Sequence, residues 1–436
     1  MTGNQKPRGI VRIKPIYLGL HHYTDVYGSV CSADVEGTPA FPGITEEEAQ
    51  ESADKMVEEF EEGVDVDFVE TEDPLVVTRH EDLRSVPKQI TLDTDALIVR
   101  SRGAVPLEME TISNIGLPII SGGARGRRYT SWGGPDDSLL RGLRAKKYLR
   151  ESKFLYVGEI PSFSAPNGPY DFPMIERRFG VRARHIETNE FYRYFDRFPD
   201  QVVQEELESW SEDFAEVIEP DEEELLNATR VYLALRKLCE REDANGVTVN
   251  CGRFTEERPV VPCLAFDRLI DEGVMCACEG DITAMLASLL LHAVSQKAVT
   301  MGNFGSSKGK FEAEEGEVTI EHDLIPLSLA SRRFTVRDYH GRRFGVTAYA
   351  DIEPDQPMTL LNMDRSLRAI SVIEGTITGT VDGIHCREIV HMTVDGDVKQ
   401  VPNVIVGSQH VSMTLGHWME ALVKAGKLLD LEIRHL

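Results

Sequence analysis

The chain has 436 residues, 41% of them hydrophobic, and a formal net charge of −26 from 73 acidic and 47 basic residues. That length exceeds one compact core and implies two or three domains, while the charge argues against nucleic acid or an anionic membrane as partner. No apolar run reaches bilayer length, the N-terminus lacks the apolar core and small-residue cleavage site of a signal peptide, and the seven cysteines do not form a disulfide pattern, so reduced thiols and a cytoplasmic location are expected.

Arginine far outnumbers lysine among the bases. Many acids with few lysines suit a surface adapted to high salt. Residues 1–148 read as an N-terminal α/β domain: the apolar runs IVRIKPIYLGL, PLVVTR, DALIVRS and LPIIS are separated by acid-rich helical stretches. The acid runs Glu46–Glu62 and Glu205–Glu224 carry helix-like apolar spacing and read as solvated helix faces. Arg125–Lys153 reads as a loop leading into a basic helix.

Residues 149–326 read as a second α/β domain. A strand ends at Gly158 and is followed by a loop and a helix finishing near Gly180. That layout is Rossmann-like, but the glycine fingerprint of dinucleotide sites is missing, so NAD and FAD are not expected. Cys276 and Cys278, two apart in an apolar strand, share a face and read as buried small hydrophobes. In residues 327–436 the character changes: Val346–Ile352, Met358–Asn362, Ile370–Thr380 and Val404–Leu415 read as strands with short turns, closed by a helix Trp418–Leu429 and a strand Leu431–Arg434. The expected fold is α/β, with two Rossmann-like parallel-sheet domains followed by a β-rich, barrel-like C-terminal domain.

The stretch Gly246–Pro326 carries the chemistry. Four β-like runs (VTVNC, VMCACEGD, AVTMGNF, VTIEHD) each end in polar residues: Asn250, Glu279 with Asp281, Asn303, and His322 with Asp323. Runs this apolar suit a parallel sheet, whose strand ends border the crevice where ligands bind. A carboxylate, an amide oxygen and an imidazole converging there suit Mn²⁺, Mg²⁺ or Fe²⁺ rather than a thiolate zinc site. Each residue also has a plainer reading. Asp281 can cap the helix that follows it, Asn303 can be a turn residue, and His322 can be a structural histidine. Glu279, placed inside an apolar run, is costly without a partner.

The run from Pro262 to Asp281 (PCLAFDRLIDEGVMCACEGD), together with Gln409-His410-Val-Ser-Met-Thr-Leu-Gly-His417, resembles the L-fucose isomerase and L-arabinose isomerase superfamily. The resemblance implies a manganese-type aldose–ketose isomerase working through an enediol on a small sugar. It makes Glu279 a ligand and the base, places Asn303 where the family has a second carboxylate, and makes His322 and His410 the remaining ligands. An amide cannot serve as a base, so Asp281 and Asp323 become candidates for the missing acid/base role. Cytoplasmic trimers or hexamers are implied. The alternatives are a related enediolate chemistry on a modified sugar or sugar acid, and a non-catalytic sugar-binding homologue.

Overall fold

A computed structural model describes residues 7–19, 44–101, 106–120, 136–161, 168–305, 316–407 and 409–436. Two compact units are present, Gly9–Lys147 and Tyr148–Leu436, the latter with the segment up to Arg8. Among the described residues no helix is long and apolar enough to cross a membrane.

The first unit is built on β1 (Val11–Leu18), β2 (Val69–Thr71), β3 (Leu75–Val77), β4 (Ala96–Ser101) and β5 (Ile119–Ile120). They form a parallel sheet in the order β2-β1-β4-β5, with β3 also paired to β1. Each of the four apolar runs read from the sequence supplies one strand of it. The acid run Glu46–Glu62 is one helix, started by a capping box in which Thr45 and Glu48 exchange hydrogen bonds. Its Ala49, Ala53, Met56 and Phe60 are buried, a stripe that leaves the acids in water. The basic stretch becomes the helix Asp137–Glu151; Arg125 and its neighbours lie outside the described residues.

The second unit opens with β6 (Lys153–Val157) and β7 (Arg182–Ile186), then β8 (Phe214–Val217), β9 (Gly246–Val249) and β10 (Met275–Ala277). Four of these make a parallel sheet, β10-β9-β6-β7. The acid run Glu205–Glu224 is not one helix. It crosses the end of the helix Asp200–Trp210, the strand β8 and the start of the helix Glu222–Glu242. The helix Ile282–Ser295 is buried at every residue except His292, as a helix enclosed on all sides must be.

The rest of this unit holds β11 (Thr300–Phe304), β12 (Glu317–His322), β13 (Phe334–Asp338), β14 (Val346–Tyr349), β15 (Pro357–Met363), β16 (Ala369–Asp382), β17 (Glu388–Val394), β18 (His410–Leu415) and β19 (Glu432–His435). The order β15-β18-β11-β12-β17-β16, closed by pairing of β15 with β16, is a six-stranded antiparallel barrel. Closure leaves no exposed edge within the ring. β19 adds in parallel outside β16, and β14 leaves the barrel to join β13 and β8 in a small separate sheet.

The parallel sheet expected to run from β9 through β12 stops at β10. β11 and β12 do not extend the parallel sheet of β9 and β10; both run antiparallel within the barrel. Their burial is real, but its cause differs. One barrel face turns inward, and on the other the helix Ile282–Ser295 packs over β11, β18 and β15, its Ser288 hydroxyl meeting that of Ser412 on β18 at 2.9 Å. A run buried on both faces cannot distinguish these two settings.

Candidate metal centre

The centre forms where the C-terminal end of β10 meets the barrel wall. The chain leaves β10 through a tight turn in which Glu279 (φ 59°) and Gly280 (φ 64°) are both left-handed. Glycine fits because a Cβ at 280 would lie 2.8 Å from the Tyr156 hydroxyl. Glu279 has no such licence, and a non-glycine residue in this region costs about 1 kcal/mol or more. The turn is held by Gly280 N–H donating to Val249 O at 2.9 Å and Asp281 N–H to Cys278 O at 3.0 Å. Glu279 is therefore not inside the apolar strand, as its sequence position suggested. It stands two residues beyond the strand's end, with 43% of its side chain exposed.

β18 contributes His410 from its first position. The Nδ1–H of this buried ring donates to Asp281 Oδ2 at 2.8 Å, and its Nε2 faces Glu279 Oε2 at 3.7 Å. A carboxylate behind a histidine fixes the tautomer and leaves the far nitrogen as a lone-pair donor. Burial works against the charged ring, but the Asp281 hydrogen bond and the charges of Asp281 and Glu279 outweigh it and raise the pKa.

His322 ends β12, its ring 5.6 Å from that of His410. Burial, then the neighbouring His410, pushes its pKa down to about 4, so the ring is neutral. Its Nδ1 accepts the Asp323 N–H at 2.9 Å. Donation from Nε2 to a cation would require the ring proton to sit on Nδ1, so His322 is less prepared as a ligand than His410. Glu279, His322 and His410 each offer an atom within 4.8 Å of the others.

Asn303 lies directly opposite His410 in the pairing of β11 with β18. Opposed residues share a sheet face. Among the described residues its buried Oδ1 finds no hydrogen-bond partner, a cost of about 1–3 kcal/mol unless something satisfies it. The donor set of one carboxylate, one amide oxygen and two imidazoles fits a divalent ion such as Mn²⁺ or Fe²⁺.

The two aspartates occupy other positions. Asp281 is fully buried; its Oδ1 accepts Thr283 Oγ1–H at 2.7 Å and Ala284 N–H at 2.9 Å, capping the helix, while Oδ2 holds His410. Asp323 accepts Arg387 N–H at 2.9 Å and pairs with His340 Nε2 at 2.7 Å. The Asp281–His410 link spans 129 residues, and no local pattern in the sequence announces it. Asn250 donates from Nδ2 to Glu159 O at 2.9 Å, which ties together the ends of β9 and β6.

Residues 174–297 match the family model described as the L-arabinose isomerase central domain, a segment that contains Glu279 and Asp281. Curated protein sequences give no match. A crystal structure of a sugar ABC transport system substrate-binding protein from Bordetella parapertussis 12822 aligns at 14% identity over 65% of this chain and 80% of that one, with a TM-score of 0.14, a likeness that carries no argument. Over its central segment, then, this chain is similar to the arabinose isomerase family, and the side chains gathered at the end of β10 are similar in type to a metal site.

Proposed function

We propose that the protein is a divalent-metal-dependent aldose–ketose isomerase of the arabinose and fucose isomerase type, acting on a small sugar. One observation carries the reading: Glu279, His322 and His410 converge, with the buried Oδ1 of Asn303 on the strand beside them. Glu279, Asn303, His322 and His410 would hold Mn²⁺ or a similar ion. When bound, such an ion supplies Lewis acidity at the sugar's carbonyl and hydroxyl oxygens.

The proton chemistry falls to Glu279, the one carboxylate of the cluster open to solvent. It would take the proton from C2 of the open-chain aldose and return it to C1, while the O2 proton moves to O1. A single carboxylate working on one face of an enediol suffices for both carbon transfers. That fits a site in which an amide replaces a second carboxylate. Asp281 then serves as a positioning residue that holds His410 and the turn. The Asn303 amide also favours a second reading, a related enediolate chemistry on a sugar acid.

Solvent exchange tests the proposal. With Mn²⁺ in D₂O, deuterium should enter C2 of at least one pentose, hexose or 6-deoxyhexose, and Glu279→Gln should abolish it. Exchange with a sugar acid alone would select the second reading. No exchange with any of these compounds would reduce the protein to a binding homologue.

A further inference from the structure

A second group of metal-ligating side chains lies on the barrel, apart from the centre at Glu279. Glu374 projects from β16, Asp395 follows the last residue of β17, and His417 stands two residues beyond β18. Each offers a ligand atom within 4.8 Å of the other two, and His417 Nδ1 is 3.3 Å from Glu374 Oε2.

The arrangement of Glu374 is specific. Its Oε1 accepts the backbone N–H groups of Trp418 at 2.6 Å and Met419 at 2.8 Å, and the Thr359 hydroxyl at 3.1 Å. Those bonds satisfy the start of the helix Met419–Leu428 and fix the carboxylate. The second oxygen is left facing His417. Asp395 is anchored to the same residue, its N–H donating to Glu374 O at 2.8 Å. Glu374 is 15% exposed and His417 56%, so the group opens to solvent on one side.

We infer that Glu374, Asp395 and His417 form a second divalent-cation site, selective for a transition ion of the Zn²⁺ class. An imidazole nitrogen with two carboxylates suits Zn²⁺, Co²⁺ or Ni²⁺, whereas Ca²⁺ and Mg²⁺ favour sets made of oxygen alone. Three protein ligands leave an open position for water. The ion joins the middle of β16 to the ends of β17 and β18, and through Thr359 it fixes β15. Its role is to clasp one mouth of the barrel, and the folded state gains by mass action whenever the ion is present.

The metal-stripped full chain is titrated with Zn²⁺, and bound metal is counted after gel filtration. The exposed variants His417→Ala and Asp395→Asn should each hold one ion fewer per chain than the unaltered protein, whatever the centre at Glu279 holds, so loss of this site is distinguishable from failure of the isomerase reading. Trp418 supplies a local signal: Co²⁺ should quench its fluorescence, and His417→Ala should remove that component. Excess Ca²⁺ should leave the Zn²⁺ in place. Unchanged stoichiometry in both variants, or displacement by Ca²⁺ as by any acidic patch, would overturn the site.

Discussion

Asp281 binds with both carboxylate oxygens, and the two can be separated by one substitution. In Asp281→Asn the amide oxygen can still accept Ala284 N–H and keep the helix cap. The amide nitrogen then faces His410 Nδ1, which must become the acceptor, and the ring proton moves to Nε2, the atom that faces Glu279. Affinity for Mn²⁺ should fall about 10–100-fold, as for other carboxylates that orient a metal-binding histidine, with little change in stability. Asp281→Ala loses the cap as well, about 1 kcal/mol. Calorimetric titration beside urea unfolding reads both effects. An Asn variant that binds Mn²⁺ like the parent would mean that Asp281 is a helix cap and nothing more.

At the scale of elements, the turn after β10 is the device that brings Glu279 out of the sheet. Gly280→Ala places a methyl against the Tyr156 hydroxyl, which donates to Glu159 O at 3.2 Å, and does so at a positive φ. A loss of about 1–3 kcal/mol is expected, together with weakened metal binding as Glu279 shifts. Tyr156→Phe in the same chain should restore part of it, and a double-mutant cycle measures how much; full additivity would show that the hydroxyl is not what the methyl meets. This turn also marks how far the sequence could be read. The order strand, Glu, Gly, Asp, helix was legible, because apolar runs and caps are local signals. That Glu279 is left-handed and open to water was not, because the room at the neighbouring Gly280 is set by Tyr156, on a strand contributed more than 100 residues earlier. Asn303 and His322 read from the sequence as ends of parallel strands; both stand instead on antiparallel barrel strands, and that placement depends on the closure of β15 onto β16, which no periodicity encodes.

For the whole molecule, the seam that assembles the site also traps acids. Asp267 is fully buried in the helix Cys263–Asp271; one oxygen accepts Ile325 N–H at 2.7 Å and the other has no partner among the described residues. Glu388, on β17, accepts Ala350 N–H at 3.2 Å through one oxygen and likewise leaves the other unsatisfied. Burial raises the pKa of both well above the ordinary carboxylate range. The folded chain therefore binds more protons than the unfolded one between the ordinary pKa near 4 and the raised values. Its stability is fully present below pH ~4 as far as these two groups are concerned, and falls as pH rises through that window, by up to ~1.4 kcal/mol per pH unit for each. The paired change Asp267→Asn with Glu388→Gln mimics the protonated acids and should flatten that slope, so that the variant gains on the parent as pH rises above the ordinary carboxylate range. The comparison belongs in high salt, where self-repulsion from a net charge of −26 is screened and cannot imitate the effect. Parallel urea midpoints for parent and variant above that range would mean that neither carboxyl is held neutral by its burial.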